Sequence, residues 1–314
     1  MANHAKPGHW LGLILACGAV PLLAMGLWLG QAAASRAWAV SAGPVQATVV
    51  YSAVNLPMPA PSPSDLGVDL IDPDIKLVMP DYRAQAWGPL RSARTIAVLI
   101  PGVGHGPAEY DSEAAMPTNG SAPITLPEQA KALLAAAGDP NLAVVAWLGY
   151  QPPSGLPQAL LDTDQAQIRI GAANLLALNS FLAELNPAAA VTWVCHSYGS
   201  LICASALHSS NQAPNLTKEP AAVVLLGSPG VQTDKAADFP TSAEIWAGRG
   251  PEDFIQLVPL LNLVGGGFGP DPATPSFGAR PIACEPDSGH SDYFRPGSIQ
   301  LRTLVRVVKG ATND

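Results

Sequence analysis

The sequence predicts an α/β protein: a mostly parallel sheet with helices on both faces, preceded by an N-terminal membrane segment. Three observations lead there. Short apolar runs of strand length recur along the chain, stretches with apolar residues at helical spacing alternate with them, and residues 10–30 are almost continuously apolar. Neighbouring parallel strands need a long crossover, normally a helix, so alternation of the two patterns points to a parallel sheet covered on both faces.

Composition narrows the class. The chain has 314 residues, 48% of them hydrophobic, enough for one large α/β domain. Only 13% are charged and the formal net charge is -8, which leaves no broad basic surface for phosphates. A nucleic-acid partner is therefore excluded.

No Lys, Arg, Asp or Glu lies between Pro7 and Ser35. The apolar run from Trp10 to Gly30 is longer than the roughly 7 to 15 residues of a signal-peptide core and matches the roughly 20 that cross a bilayer. Residues 1–40 thus read as a transmembrane anchor, or as a signal peptide cleaved near Ala39 in "RAWAV", where Ala37 and Ala39 make an A-x-A site. Either reading puts the remainder outside the cytosol, membrane-anchored or secreted. Cys17 reads as a small residue within the membrane helix. Residues 41–90 form a lead-in that includes the Pro-rich arm Leu56–Asp65, "LPMPAPSPSD".

Regular signal begins with "TIAVLI", Thr95–Ile100, a buried strand ending in the Gly-rich turn "PGVGHG". Thr125 and Glu128 then form a capping box at the start of a helix stopped by Gly138. "LAVVAWLGY", Leu142–Tyr150, is a second strand, and Trp147, Leu148 and Tyr150 at its end suit an apolar acyl pocket, with core packing an equal account of the Trp. A long helix follows from Asp162 to Leu185. A strand at Val191–Val194 leads through a tight turn into another helix, and "AAVVLLG" (Ala221–Gly227), "AEIWAG" (Ala243–Gly248) and "ARPIACE" (Ala279–Glu285) supply three more strands. Residues 91–314 make up the α/β domain.

In such sheets ligands bind at the carboxyl ends of the strands, so the loops there are where chemistry belongs. "VTWVCHSYGSLICASAL", Val191–Leu207, places Ser197 between strand and helix, with Cys195 two residues before and Gly199 two after. A nucleophile elbow requires small residues at both places so that backbones can pass closely, and Cys195 stands where Gly is usual. Ser228 in "LLGSPGV" is a rival, but Leu226 is bulky and Pro229 has no N–H to offer an oxyanion, so it reads as turn chemistry. Tyr198 has an amide at the helix start, and Val103 or Gly104 in the earlier turn supplies a second donor; Val103 is preferred.

The base must follow the elbow, because this architecture orders its residues Ser, then Asp or Glu, then His. His4 and His9 precede the membrane segment, His105 lies upstream, His196 adjoins the serine and packs inward, and His208 lies along the next helix. His290, in "CEPDSGHSDYF", remains. The acid should follow "AEIWAG", where "RGPEDFI" offers Glu252 and Asp253; Asp253 is preferred, and Asp287 is a further candidate. Cys195, Cys203 and Cys284 allow at most one intramolecular disulfide, whose partners are not specified.

Together "VLIPGVG", "VVAWLGYQPP", "VCHSYGS", "LLGSPGV" and "GHSDYFRPGS" resemble, from about Thr95 to Gly310, the actinobacterial α/β-hydrolases catalogued as a domain of unknown function. The resemblance implies an α/β-hydrolase fold with serine chemistry, and its elbow and histidine stretch map onto Ser197 and His290. Its acid maps onto Asp253, although "GPEDFI" departs from the usual D-P-[IV] ending.

The expectation is a serine hydrolase in which Ser197 attacks a carboxylic ester or related acyl bond, His290 shuttles the proton, Asp253 orients it, and the Val103 and Tyr198 amides hold the oxyanion. Its partner is a small acyl or lipid-like substrate. No metal-ligand cluster or phosphate loop is visible in the sequence, so no cofactor is expected. Two alternatives stand beside it: a non-catalytic cell-envelope binding protein on the same fold, and an acyltransferase.

Overall fold

In the computed structural model the described residues are 76–79, 82–112, 122, 125–155, 158–159, 165–210, 218–258 and 268–310. The membrane segment, the cleavage site at Ala39 and the Pro-rich arm lie outside them. All fall within one unit, residues 46–314.

Among the described residues eight strands form one sheet. They are β1 (Lys76–Met79), β2 (Tyr82–Trp87), β3 (Thr95–Ile100), β4 (Leu142–Leu148), β5 (Ala190–His196), β6 (Ala222–Leu226), β7 (Glu244–Gly248) and β8 (Arg280–Pro281), in the spatial order β1-β2-β4-β3-β5-β6-β7-β8. Strands β3 to β8 run parallel, while β1 and β2 are antiparallel at one edge. The long helices are α1 (Leu126–Ala137), α2 (Ala166–Leu185), α3 (Gly199–Ser209) and α4 (Ile299–Val308).

Successive strand side chains point to opposite faces, which divides the core in two. Ile96, Val98 and Ile100 of β3 join Ala143, Val145 and Trp147 of β4 under α2 and α3, where Leu175, Leu201 and Ile202 meet them. Ala97 and Leu99, with Val144 and Leu148, face α1 and α4 through Leu133, Leu301 and Leu304. A strand buried on both faces must be apolar throughout, as these runs are.

The expected capping box forms: the Thr125 hydroxyl accepts from the Glu128 amide at 3.3 Å and the Glu128 carboxylate accepts from the Thr125 amide at 2.9 Å. Gly138 then ends the helix in the left-handed region, φ 54°.

Three expectations need correction. The segment read as lead-in contains β1 and β2, so two strands of the sheet precede residue 91. The expected strand Ala279–Glu285 shrinks to Arg280–Pro281 at the edge of the sheet, a place where Pro281, with no N–H, is tolerated, and the last bond to β7 is the one the Ile282 amide donates to the Ala247 carbonyl at 2.8 Å. Trp147, Leu148 and Tyr150 do not line a pocket together: all three are buried, Leu148 faces the opposite core from the other two, and the Tyr150 hydroxyl donates to the Pro101 carbonyl at 2.6 Å.

Candidate active site

The carboxyl ends of β5, β7 and β8 deliver three side chains to one place. Ser197 follows β5 immediately and adopts φ 54°, a left-handed conformation uncommon for a residue with a Cβ. The turn is fixed on both sides, since the Ser197 amide donates to the Leu226 carbonyl at 2.8 Å while α3 starts two residues later. Neighbouring atoms leave no room for larger residues: a Cβ on Gly199 would lie 2.5 Å from the Pro101 carbonyl oxygen, and one on Gly102 would lie 2.5 Å from the Ser197 Cβ. The "PGVGHG" loop therefore runs directly against the serine.

Cys195 occupies the other small-residue place, and its sulfur is bonded to Cys203 on α3, the two Cα atoms 6.5 Å apart. The bridge links the last strand residues to the helix and brackets Ser197. Both sulfurs belong to residues fully buried in the core. Cys284 carries a free thiol, whose pKa burial, then the nearby Asp253 carboxylate, push up to about 11. It stays a neutral thiol at physiological pH.

His290 Nε2 lies 3.0 Å from Ser197 Oγ, and His290 Nδ1 lies 2.8 Å from Asp253 Oδ1. The partners assign the tautomer: a carboxylate can only accept, so Nδ1 carries the hydrogen, and Nε2 of the neutral ring accepts from the serine hydroxyl. Asp253 is completely buried and receives two further hydrogen bonds, from the Ile255 amide at 2.8 Å and from the Tyr293 hydroxyl at 2.5 Å. Burial alone would raise its pKa, but the hydrogen bond and charge interaction with His290, the Tyr293 hydroxyl and the Ile255 amide outweigh it and hold the carboxyl below its usual range.

The other acid candidates point elsewhere. Glu252 is exposed, and Asp287 forms an exposed pair with Arg295 at 2.9 Å. Ser228 is occupied in its own turn, exchanging hydrogen bonds with Gly230. The loop carrying His290 is fastened at both ends. Gln300 of α4 donates to the Asp292 carbonyl and the Ser288 hydroxyl, and buried His196 holds the His290 carbonyl oxygen at 2.9 Å through Nε2. His196 thus packs inward as expected, and burial, then the neighbouring His290 and His105, push its pKa down to about 3. His208 is exposed and meets Thr233 at 2.8 Å.

In the loop after β3, the Gly104 amide donates to the Pro153 carbonyl at 3.0 Å, whereas Val103 donates to no acceptor among the described residues. Tyr198 stands at the start of α3. Sequence reasoning missed Tyr293, which is buried with its hydroxyl between Asp253 Oδ2 and the Gly250 amide, the latter at 3.1 Å. Its signal was present in the aromatic pair that follows His290 by three residues, but a loop aromatic gives no sign of which way it turns.

A serine on a strained strand-to-helix turn, a histidine after the last strand and a carboxylate after the one before define an α/β protein with a hydroxyl–imidazole–carboxylate chain at its strand ends. A family model described as alpha/beta hydrolase matches residues 81–263, more than half of the sequence, and the chain belongs to the alpha/beta hydrolase family. That match stops before His290. No curated protein is significantly similar in sequence. Among solved structures, the chain is similar to a dienelactone hydrolase from Anabaena variabilis (14% identity, 76% of this chain and 97% of that one, TM-score 0.41). It is also similar to an alpha-beta serine hydrolase homologue from Coxiella burnetii (13%, 76% and 97%, TM-score 0.39). A thermostable carboxyl esterase from Bacillus coagulans matches over 50% of this chain and 44% of its own, at 15% identity and a TM-score of 0.31. None of these likenesses bears on substrate.

Proposed function

We propose that the protein is a serine hydrolase that cleaves a carboxylic ester or related acyl bond through an acyl-enzyme on Ser197. The observation that carries this is the continuous chain Ser197 Oγ–His290 Nε2–His290 Nδ1–Asp253 Oδ1, with links of 3.0 and 2.8 Å, built on a serine held at positive φ. Ser197 Oγ attacks the carbonyl carbon while His290 takes its proton; His290 returns that proton to the leaving oxygen, and water repeats the sequence to release the acid. Asp253 holds the tautomer and balances the imidazolium without itself becoming protonated.

The Val103 and Tyr198 amides are the oxyanion donors in this reading. Support comes from the loop lying against Ser197, from the engagement of Gly104 with Pro153, and from the position of Tyr198 at a helix start. Each such donor is typically worth about 2.7 to 4 kcal/mol in the transition state. The N-terminal apolar run supports a site that works outside the cytosol, anchored or secreted, on a small acyl or lipid-like substrate. The motifs around Ser197 and His290 support the narrower kinship with actinobacterial members of the family.

The test is covalent labelling of the full chain with a fluorophosphonate, mapped by mass spectrometry. Labelling is expected on Ser197 and is expected to vanish in Ser197→Ala while the circular dichroism stays native. A folded wild-type protein that takes no label would remove the acyl-enzyme from consideration.

A further inference from the structure

The turn that carries Asp253 exposes the residues that follow it. Phe254–Leu257 is a single 3₁₀ turn capped by the Asp253 carboxylate. In such a turn side chains three apart eclipse one another, so Phe254 and Leu257 share one side. Both are exposed, Phe254 at 49% and Leu257 at 55%, and with Ile170 they are the large hydrophobics exposed among the described residues. The Phe254 ring also sits against the His290 imidazole, with centroids 4.6 Å apart and planes tilted by 50°. An apolar strip thus begins in contact with the ring that moves the proton.

The direction of proton transfer says which part of an ester meets that strip. When Ser197 Oγ bonds to the carbonyl carbon, its proton passes to His290 Nε2. When the bond from that carbon to the alkoxy oxygen breaks, the same proton goes to the alkoxy oxygen and the alcohol departs. The alkoxy oxygen must therefore lie within hydrogen-bond reach of His290 Nε2, and the alcohol's carbon chain extends on the histidine side. The acyl chain, joined to the carbonyl carbon whose oxygen faces the oxyanion donors, has no such requirement.

Resting on the serine-hydrolase reading above, we propose that Phe254 and Leu257 form the seat for the alcohol half of the substrate and select esters of apolar alcohols. The strip is specific to the leaving group and leaves acyl-chain choice to other residues. Covering an exposed phenyl ring with an alkyl chain removes apolar surface from water on both partners, which gives a longer alcohol its advantage.

The experiment compares full-length wild type, Phe254→Ala and Leu257→Ala on two ester series: ethyl, butyl and octyl acetate, which share an acyl group, and p-nitrophenyl acetate, butyrate and octanoate, which share a leaving group. The readout is the ratio of kcat/KM for the longest and shortest member of each series. In the wild type the alcohol ratio should favour octyl. Each variant should lower that ratio about tenfold, the size expected when an apolar contact is withdrawn, and leave the acyl ratio within twofold. A variant that lowers all six substrates by one factor would overturn the proposal, since Phe254 would then act only through His290. A flattened acyl ratio would assign the strip to the wrong half of the ester, and unchanged ratios in both series would place it outside the site. Fluorophosphonate labelling of the same preparations separates these outcomes from failure of the hydrolase reading, in which the wild type itself would not label.

Discussion

Tyr293 shows how much of the site depends on a single side chain that no motif assigns to chemistry. Its hydroxyl donates to Asp253 Oδ2 at 2.5 Å, leaving Oδ1 to His290 and the Ile255 amide, and burial, then the Asp253 charge, raise its own pKa far above the ordinary tyrosine value. It is therefore a neutral donor at any working pH. A hydrogen bond to a charged group is worth about 1.5–3 kcal/mol, so Tyr293→Phe should lower kcat/KM for p-nitrophenyl butyrate at least about tenfold by loosening the carboxylate that orients His290. A variant within twofold of wild type would show that Ile255 and His290 suffice to hold Asp253. The serine and histidine were legible in the sequence because their positions follow from the order of strands. The acid was legible only as a choice among Glu252, Asp253 and Asp287, and what separates them is which way each side chain turns. That depends on tertiary packing, here a completely buried Asp253 beside two exposed carboxylates.

The strand-turn-helix unit from β5 to α3 carries the strain of the site. Ser197 sits at φ 54°, and the Cys195–Cys203 bridge ties the strand to the helix across it. Closing a loop of this length in the unfolded chain is worth about 2–3 kcal/mol by the chain-entropy estimate. The double variant Cys195→Ala, Cys203→Ala should therefore unfold at lower denaturant with ΔG reduced by about that amount; an unchanged midpoint would mean that packing of α3 on the sheet holds the turn unaided. Strands β3 to β7 were legible because burial on both faces demands uninterrupted apolar residues. Strand β2, "YRAQAW", was not: it lies next to the edge, its buried members are the small Ala84 and Ala86, and Arg83 and Gln85, which alternate with them, dilute the pattern. The pairing of the cysteines was illegible for a different reason, since three cysteines at these separations permit any pair and only the fold brings two within bonding distance.

The stability of the folded domain as a whole should respond to acid through His196. In the unfolded chain this imidazole takes up a proton near pH 6.5, but in the folded protein burial, then His290 and His105, delay protonation to about 3. Between these values the unfolded state binds more protons, so stability is complete above about pH 6.5 and declines as pH falls, by up to about 1.4 kcal/mol per pH unit. Asp253 adds to the loss lower down, because its depressed pKa stabilises the fold only while the carboxylate stays ionised. His196→Gln keeps a donor for the His290 carbonyl and does not titrate, so its urea midpoint should change less between pH 7 and pH 4.5 than that of wild type; parallel slopes would contradict this account.

The elbow bridge also fixes an order of events in the life of the molecule. Both sulfurs end up sealed inside the core, where no oxidant or reductant of any size can touch them without the helix lifting away. Oxidation therefore has to occur while the chain is still open, early in folding, where an oxidant is at hand. Protein that folds where no oxidant is present keeps two thiols in the same place. The two products share a fold and differ in intact mass by two hydrogens, a lasting record of where each molecule matured.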